Sequence, residues 1–292
     1  MSPRQDQPSI RMWRARRDLP TRSDYQRDVD RHFDHAAQHW RDLYAEESLE
    51  GVIHRNRHSR TLDWILQLGL PRQARVLDVG CGTGLLAVDL AHRGCSVRAI
   101  DPSEAMIDFV QSRAKENDVS GDLSVQLGDA HSLSFGSRAF DLVIALGVVP
   151  FLHTPQDALA EMARVVRPGG WVIVSSDNKF RLTRLLDPRY IPFPGREALK
   201  RSLIRSRIKA PPGFAGRFFS SRAIQGMLED AGLRIVRCVT FGFGPFTFFG
   251  RETLHDAAAL RLNRRLQGWA DQGVPGIRSV GAQHLILAQA PR

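Results

Sequence analysis

The spacing of apolar residues changes character along this chain. Residues 25–44 place Val29, Phe33, Ala36, Ala37, Trp40 and Tyr44 on one helical face. A second helical pattern runs from about Arg57 to Leu68 and stops before Leu70-Pro71. From about residue 74 short runs of β-prone residues alternate with amphipathic stretches. RVLDV precedes GLLAVDLAHRG, SVRAI precedes SEAMIDFVQSRAKEN, and LSVQL and FDLVIAL lead to PQDALAEMARVV and GGWVIVSS. Strands that are apolar without alternating are buried on both faces, so the pattern predicts an α/β fold: a doubly wound, mostly parallel, Rossmann-like seven-stranded sheet. A helix at about 221–231, a strand LRIVRCVTF, a helical pattern near 254–269 and a last strand QHLILAQA complete it.

At 292 residues with 42% hydrophobic and 25% charged content, the chain can form one large α/β unit with insertions. Five stretches are predicted: a loose basic arm (1–24), a helical lid (25–73), a ligand-binding core (74–180), a basic insertion (181–219) and a C-terminal part (220–292). Three cysteines, Cys81, Cys95 and Cys238, form no metal-ligand spacing and no disulfide framework, which favours the cytoplasm. No apolar segment follows the basic N-terminus, and no apolar run is long enough to span a bilayer.

The net charge of +10 is concentrated. Between Arg181 and Arg217 ten Lys or Arg face only Asp187 and Glu197, a local charge of +8. Such a segment attracts phosphates, carboxylates or an anionic membrane surface. The stretch GFGPFTFFG, with Phe241 just before it, is rich in phenylalanine for a connection between strands. It suits an acceptor pocket, a peripheral membrane contact, an oligomer interface or simply the core.

The chemistry begins at VLDVGCGTG, residues 76–84. A strand, a glycine turn and a helix bring backbone N–H groups close to a nucleotide-like ligand. Asp101, closing VRAID, stands where an acidic side chain accepts from ribose hydroxyls. The glycines fall at 80, 82 and 84, and position 85 is Leu85, so the dinucleotide fingerprint is not met. Asp78 would repel a pyrophosphate but suits an ammonium. A ligand with a ribose, a positive amino group and no phosphates fits, and S-adenosylmethionine has that profile.

These motifs resemble those of the class I S-adenosylmethionine-dependent methyltransferases. VLDVGCGTG, IDPSEAM, LGDAHSLSF, FDLVIALG and RVVRPGGWVIVS match the family's motifs in order over about residues 74–176. HFDHAAQHWRDLY further resembles the opening segment of the quinone and tetrapyrrole methyltransferases. The resemblance implies that Gly80, Cys81 and Gly82 form the methionine-moiety loop, with Asp78 at the amino group. It implies Asp101 on the ribose, Pro102 and Met106 beside the adenine, and Asp129 and Ala130 at the adenine edge. Leu146 and Gly147 would line the methyl-donor end, and Tyr44 and Arg57 would reach the cofactor carboxylate.

A sulfonium is already a good leaving group, so the enzyme mainly aligns the partners and excludes water. A general base is needed only for a poor nucleophile. His153, after the fourth strand, is the first candidate, followed by His131, His54, His58 and Tyr190. Family members often carry the loop histidine earlier, where this chain has Pro150 and Phe151. The function expected is methyl transfer to a small, amphiphilic, anionic metabolite, with no metal. The alternatives are RNA methylation, a non-catalytic S-adenosylmethionine-binding regulator and a nicotinamide oxidoreductase. No RNA-binding module is appended and ALGVVPF is not an Asn-Pro-Pro-Tyr-like motif, which argues against nucleic acid as the partner.

Overall fold

A computed structural model of the protein describes residues 22–187, 216–248 and 251–292. Most of the expected N-terminal arm and of the basic insertion, including Tyr190, lies outside the described residues. Among those described, no helix is long and apolar enough to cross a membrane.

Two helices come first, α1 (Arg22–Leu43) and α2 (Leu49–Gln67). Strands β1 (Arg75–Val79), β2 (Ser96–Asp101), β3 (Leu123–Leu127), β4 (Phe140–Ala145) and β5 (Val166–Asn178) then alternate with α3 (Leu85–His92), α4 (Glu104–Glu116) and α5 (Pro155–Val165). After α6 (Leu182–Leu186) and the short β6 (Phe218–Phe219) come α7 (Ser221–Asp230), β7 (Arg234–Phe241), the β8 (Thr247–Phe248) and β9 (Arg251–Glu252) ribbon, α8 (Asp256–Asp271) and β10 (Gln283–Gln289).

The main sheet runs β3-β2-β1-β4-β5-β10-β7, with β6 pairing β5 as an eighth, two-residue strand beyond the seven expected. From β3 to β5 the strands are parallel, and β10 is antiparallel to both β5 and β7. Alternate side chains feed two cores. Val76, Leu142 and Ile144 pack with α2, α3, α4 and α8, whereas Leu77, Val79, Val143 and Ala145 pack with α5 and α7. Leu142 is wholly buried, and truncating such a residue to Ala costs about 2–5 kcal/mol. Order reverses between β1 and β4, so their carboxyl ends diverge and leave the crevice where open α/β sheets bind ligands.

α2 starts at Leu49, eight residues before the pattern implied. Ser48 caps it by accepting the Gly51 N–H at 3.1 Å. The helix buries Leu49, Ile53, Trp64 and Ile65 but also His54, Arg57 and Thr61, so it shows no clean apolar stripe. Phe241 and Phe243 join the core, Phe246 is half-buried and Phe248 is exposed, so the aromatic loop divides among several of the fates its composition allowed.

Candidate functional site

A cavity of about 1240 Å³ opens at the carboxyl ends of the parallel strands, roofed by α1 and α2. Its floor is the turn between β1 and α3. Gly80, Gly82 and Gly84 all take positive φ, at 64°, 54° and 75°. A Cβ on Gly80 would fall 2.4 Å from the Val148 side chain, so that glycine permits close packing. A Cβ on Gly82 would meet nothing within 4 Å and would occupy open space beside the cavity.

Two buried carboxylates converge on this turn. Asp101 closes β2, its Oδ2 accepting from the Gly82 N–H at 2.9 Å and its Oδ1 from the Ser103 N–H at 3.1 Å. Burial raises its pKa to about 6, opposed by those N–H donors and reinforced by Asp30 and Asp34. Asp78, at the same edge on β1, has no side-chain hydrogen bond among the described residues; burial first, then the Asp101 charge, raises it to about 7. Ser103 caps α4 by accepting the Met106 N–H and donates its own hydroxyl to Asp34, which ties α1 to the site.

The roof supplies a cation. Arg57 is buried and makes no ion pair among the described residues, and its Nε has no hydrogen-bond partner there. One Nη lies 3.5 Å from the Tyr44 hydroxyl, and another would be 2.6 Å from a Cβ on Gly147, so glycine there lets the guanidinium reach the end of β4. His54, one turn earlier, contacts Trp40 and Tyr44 edge-on, at ring centroid separations of 5.3 and 6.2 Å. Burial, then Arg57 and His39, pushes its pKa well below the usual imidazole value, so it stays neutral.

Every residue that the sequence pointed to for the ligand lines this cavity: Tyr44, Arg57, Asp78, Gly80, Cys81, Gly82, Asp101, Pro102, Met106, Asp129, Ala130, Leu146 and Gly147. Burial and the charges of Asp101 and Asp78 hold the Cys81 thiol well above the usual range, which disfavours the thiolate a nucleophile needs. Asp129 is half-exposed and already engaged, its Oδ1 accepting from the His131 N–H at 2.8 Å and contacting the ring Nδ1 at 2.7 Å. His153 is not part of the cavity lining. The 3₁₀ turn Val149–Phe151 carries Pro150 and Phe151 into the cavity, and His153 lies beyond it with its ring 5.8 Å from that of Tyr25. His131 is likewise off the lining, while His54 and His58 are on it.

Sequence reasoning missed Asp30, Asp177, Phe218 and Gln283, all of which line the cavity. Asp177 had a signal, since it closes GGWVIVSSD as Asp101 closes VRAID. The far end of the cavity joins both insertions. Arg181 and Arg184 each place a guanidinium carbon 4.7 Å from the Phe218 ring, and Pro245, Phe246 and Thr247 line the opposite insertion. The Thr247 hydroxyl donates to Asp187 at 3.0 Å, so the two insertions touch.

A protein-family profile described as "Methyltransferase domain" matches residues 77–174, the stretch that carries the glycine turn, both strand-end acids and the β4 loop. Residues 77–174 match a methyltransferase domain. The chain resembles the ubiquinone biosynthesis O-methyltransferase of Rhizobium johnstonii, 37% identical over 105 residues that cover 36% of this chain and 42% of that protein. The namesake from Alkalilimnicola ehrlichii is 35% identical over 150 residues, covering 50% of this chain and 58% of its own. The chain thus spans about half the length of the curated relatives it matches. Magnesium protoporphyrin IX methyltransferase from Synechocystis, solved with S-adenosylhomocysteine, shares the fold at a TM-score of 0.60 and 20% identity, over 91% of this chain and 99% of that one. Around residues 77–174, α1 and α2 line one end of the cavity, and Arg181, Arg184, Phe218, Pro245, Phe246 and Thr247 line the other.

Proposed function

We propose that this protein binds S-adenosylmethionine in the cavity and transfers its methyl group to a small, amphiphilic, anionic acceptor. The chemistry of the donor set fits the cofactor. Buried Asp78 and Asp101 lack a cation and hydroxyl donors, and buried Arg57 lacks an anion among the described residues. Asp78 would hold the amino group, Asp101 the ribose hydroxyls, Met106 and Ala130 the adenine, and Arg57 with Tyr44 the carboxylate. The bound cofactor supplies a methyl group on a positively charged sulfur. The protein orients both partners and keeps water out, which is most of what an in-line displacement needs.

One observation carries the acceptor reading. The ligand cavity continues without a break from the glycine turn to Arg181, Arg184, Phe218 and Phe246. An apolar body fits against the rings, and an acidic group fits the guanidinium groups. The names of the relatives concern ubiquinone biosynthesis and magnesium protoporphyrin IX, which are small molecules. The test is transfer of isotopically labelled methyl from S-adenosylmethionine to fractionated cell extract. Label in the small-molecule fraction is expected, and label confined to RNA would replace this reading with RNA methylation.

A further inference from the structure

The base expected after β4, His153, lies off the cavity, and the structure offers another group at the neighbouring strand. Asp177 stands near the carboxyl end of β5 and lines the cavity. Side chains alternate along a strand, so Asp177 shares a face with Ser175, about 7 Å back along the chain. The Ser175 Oγ accepts the Gly147 N–H at 2.8 Å and fastens β5 to the loop that follows β4. Asp177 therefore sits just beyond the segment to which Leu146 and Gly147 belong, on a strand rather than a loop.

Its orientation is fixed from the other side. Gln283 on β10 is its register partner, and Gln283 Nε2 donates to Asp177 Oδ1 at 3.2 Å. That is its one side-chain hydrogen bond among the described residues, which leaves Oδ2 without a partner. The charged groups acting on it are Arg181, from the turn after β5, and Arg57, from α2. A positioned carboxylate with one unpaired oxygen, at the end of a rigid strand between two guanidinium groups, has the geometry of a proton acceptor.

We propose that Asp177 is the general base of the methyl transfer and that the accepting atom is a hydroxyl oxygen. This rests on the methyl-transfer reading above. The acceptor oxygen forms its bond to the methyl carbon as the carbon–sulfur bond breaks. The bonding pair stays on sulfur, which becomes a neutral thioether, and the hydroxyl proton passes to Asp177 Oδ2. The proton returns to water when the product leaves. Arg57 and Arg181 keep the carboxylate ionised, while burial outweighs them and lifts its pKa above the usual value, making it a stronger base than an exposed aspartate.

The experiment compares the wild type with Asp177→Asn and Asp177→Glu. Titration with S-adenosylhomocysteine reports the cofactor end, and labelled methyl transfer to the small-molecule fraction of a cell extract is followed from about pH 5 to 9, with S-adenosylmethionine saturating at every pH so that ionisation of Asp78 and Asp101 does not enter the profile. The carboxylate is the active form, so wild-type transfer should rise with pH through a carboxylate pKa above about 4. Asp177→Asn should keep its S-adenosylhomocysteine affinity within about threefold, lose about 100-fold or more of the transfer near pH 7, and lose that acid limb. Asp177→Glu should regain part of both. An Asn variant with wild-type transfer and an unchanged pH profile overturns the assignment. If the wild type binds S-adenosylhomocysteine yet labels no small molecule, the acceptor reading itself has failed, and the base assignment falls with it.

Discussion

Asp78→Asn separates what the site needs from what the fold prefers. The buried carboxyl of Asp78 ionises at about 7 in the folded protein against an ordinary 3.8. Between those values the native state keeps a proton that the unfolded chain has released. Stability therefore falls as pH rises through this interval and levels off above about 7. At 1.36 kcal/mol per pH unit the full cost is about 4 kcal/mol, an upper figure because a cavity-lining group gains some relief from water. Asparagine keeps the shape and cannot ionise. Unliganded Asp78→Asn should therefore melt about 4–8 °C above the wild type at pH 8, with a smaller gain at pH 5. The same change removes the partner for a ligand ammonium, and losing a charge-assisted hydrogen bond costs about 1.5–3 kcal/mol, roughly ten- to a hundredfold in affinity. Calorimetric melting at both pH values, followed by titration with S-adenosylhomocysteine, checks both halves. A variant that is less stable at pH 8, or that binds the ligand as tightly as the wild type, would refute the reasoning.

Asp101→Ala should weaken S-adenosylhomocysteine by about 1.5–3 kcal/mol for each hydrogen bond lost, read by the same titration. It also strips acceptors from the Gly82 and Ser103 N–H groups, so a fall in melting temperature should accompany it. Affinity for S-adenosylhomocysteine should rise by up to about tenfold per pH unit until Asp78 ionises near 7 and then plateau; a flat titration from pH 5.5 to 8.5 would contradict the ammonium assignment. Gly80→Ala combines positive φ with a 2.4 Å clash against Val148 and should lower stability by about 1–3 kcal/mol in denaturant unfolding.

The core was legible because its signals are local. Short, almost wholly apolar runs such as FDLVIA, flanked by helical patterns, read as strands covered on both faces, and β4 is buried at every position. The glycine turn and Asp101 announce themselves because backbone conformation and strand-end position are written in residue type. What escaped depends on partners distant in sequence. α2 carries buried His54 and Arg57 because one flank faces a polar cavity, so no apolar stripe marked its first turns. Asp177 reads as an ordinary strand-end acid until β10 brings Gln283 beside it from 106 residues away. His153 looked well placed after β4, but the 3₁₀ turn spends the reach of that loop on Pro150 and Phe151. The charge of the basic insertion pointed to an anionic partner without saying which of its residues would meet one. Arg181, Arg184 and Phe218 line the cavity, whereas Arg201, Arg205 and Arg207 lie outside the described residues.

The central claim is that this cavity holds S-adenosylmethionine rather than a dinucleotide. Calorimetric titration of the purified protein with S-adenosylhomocysteine, run beside NAD and NADP, tests it most directly. The account predicts one saturable site for S-adenosylhomocysteine, weakened by Asp101→Ala, and no comparable heat from either dinucleotide, because Asp78 opposes a pyrophosphate and Leu85 stands where the third glycine would be. Tighter binding of a dinucleotide, or no binding of S-adenosylhomocysteine by the folded protein, would contradict it.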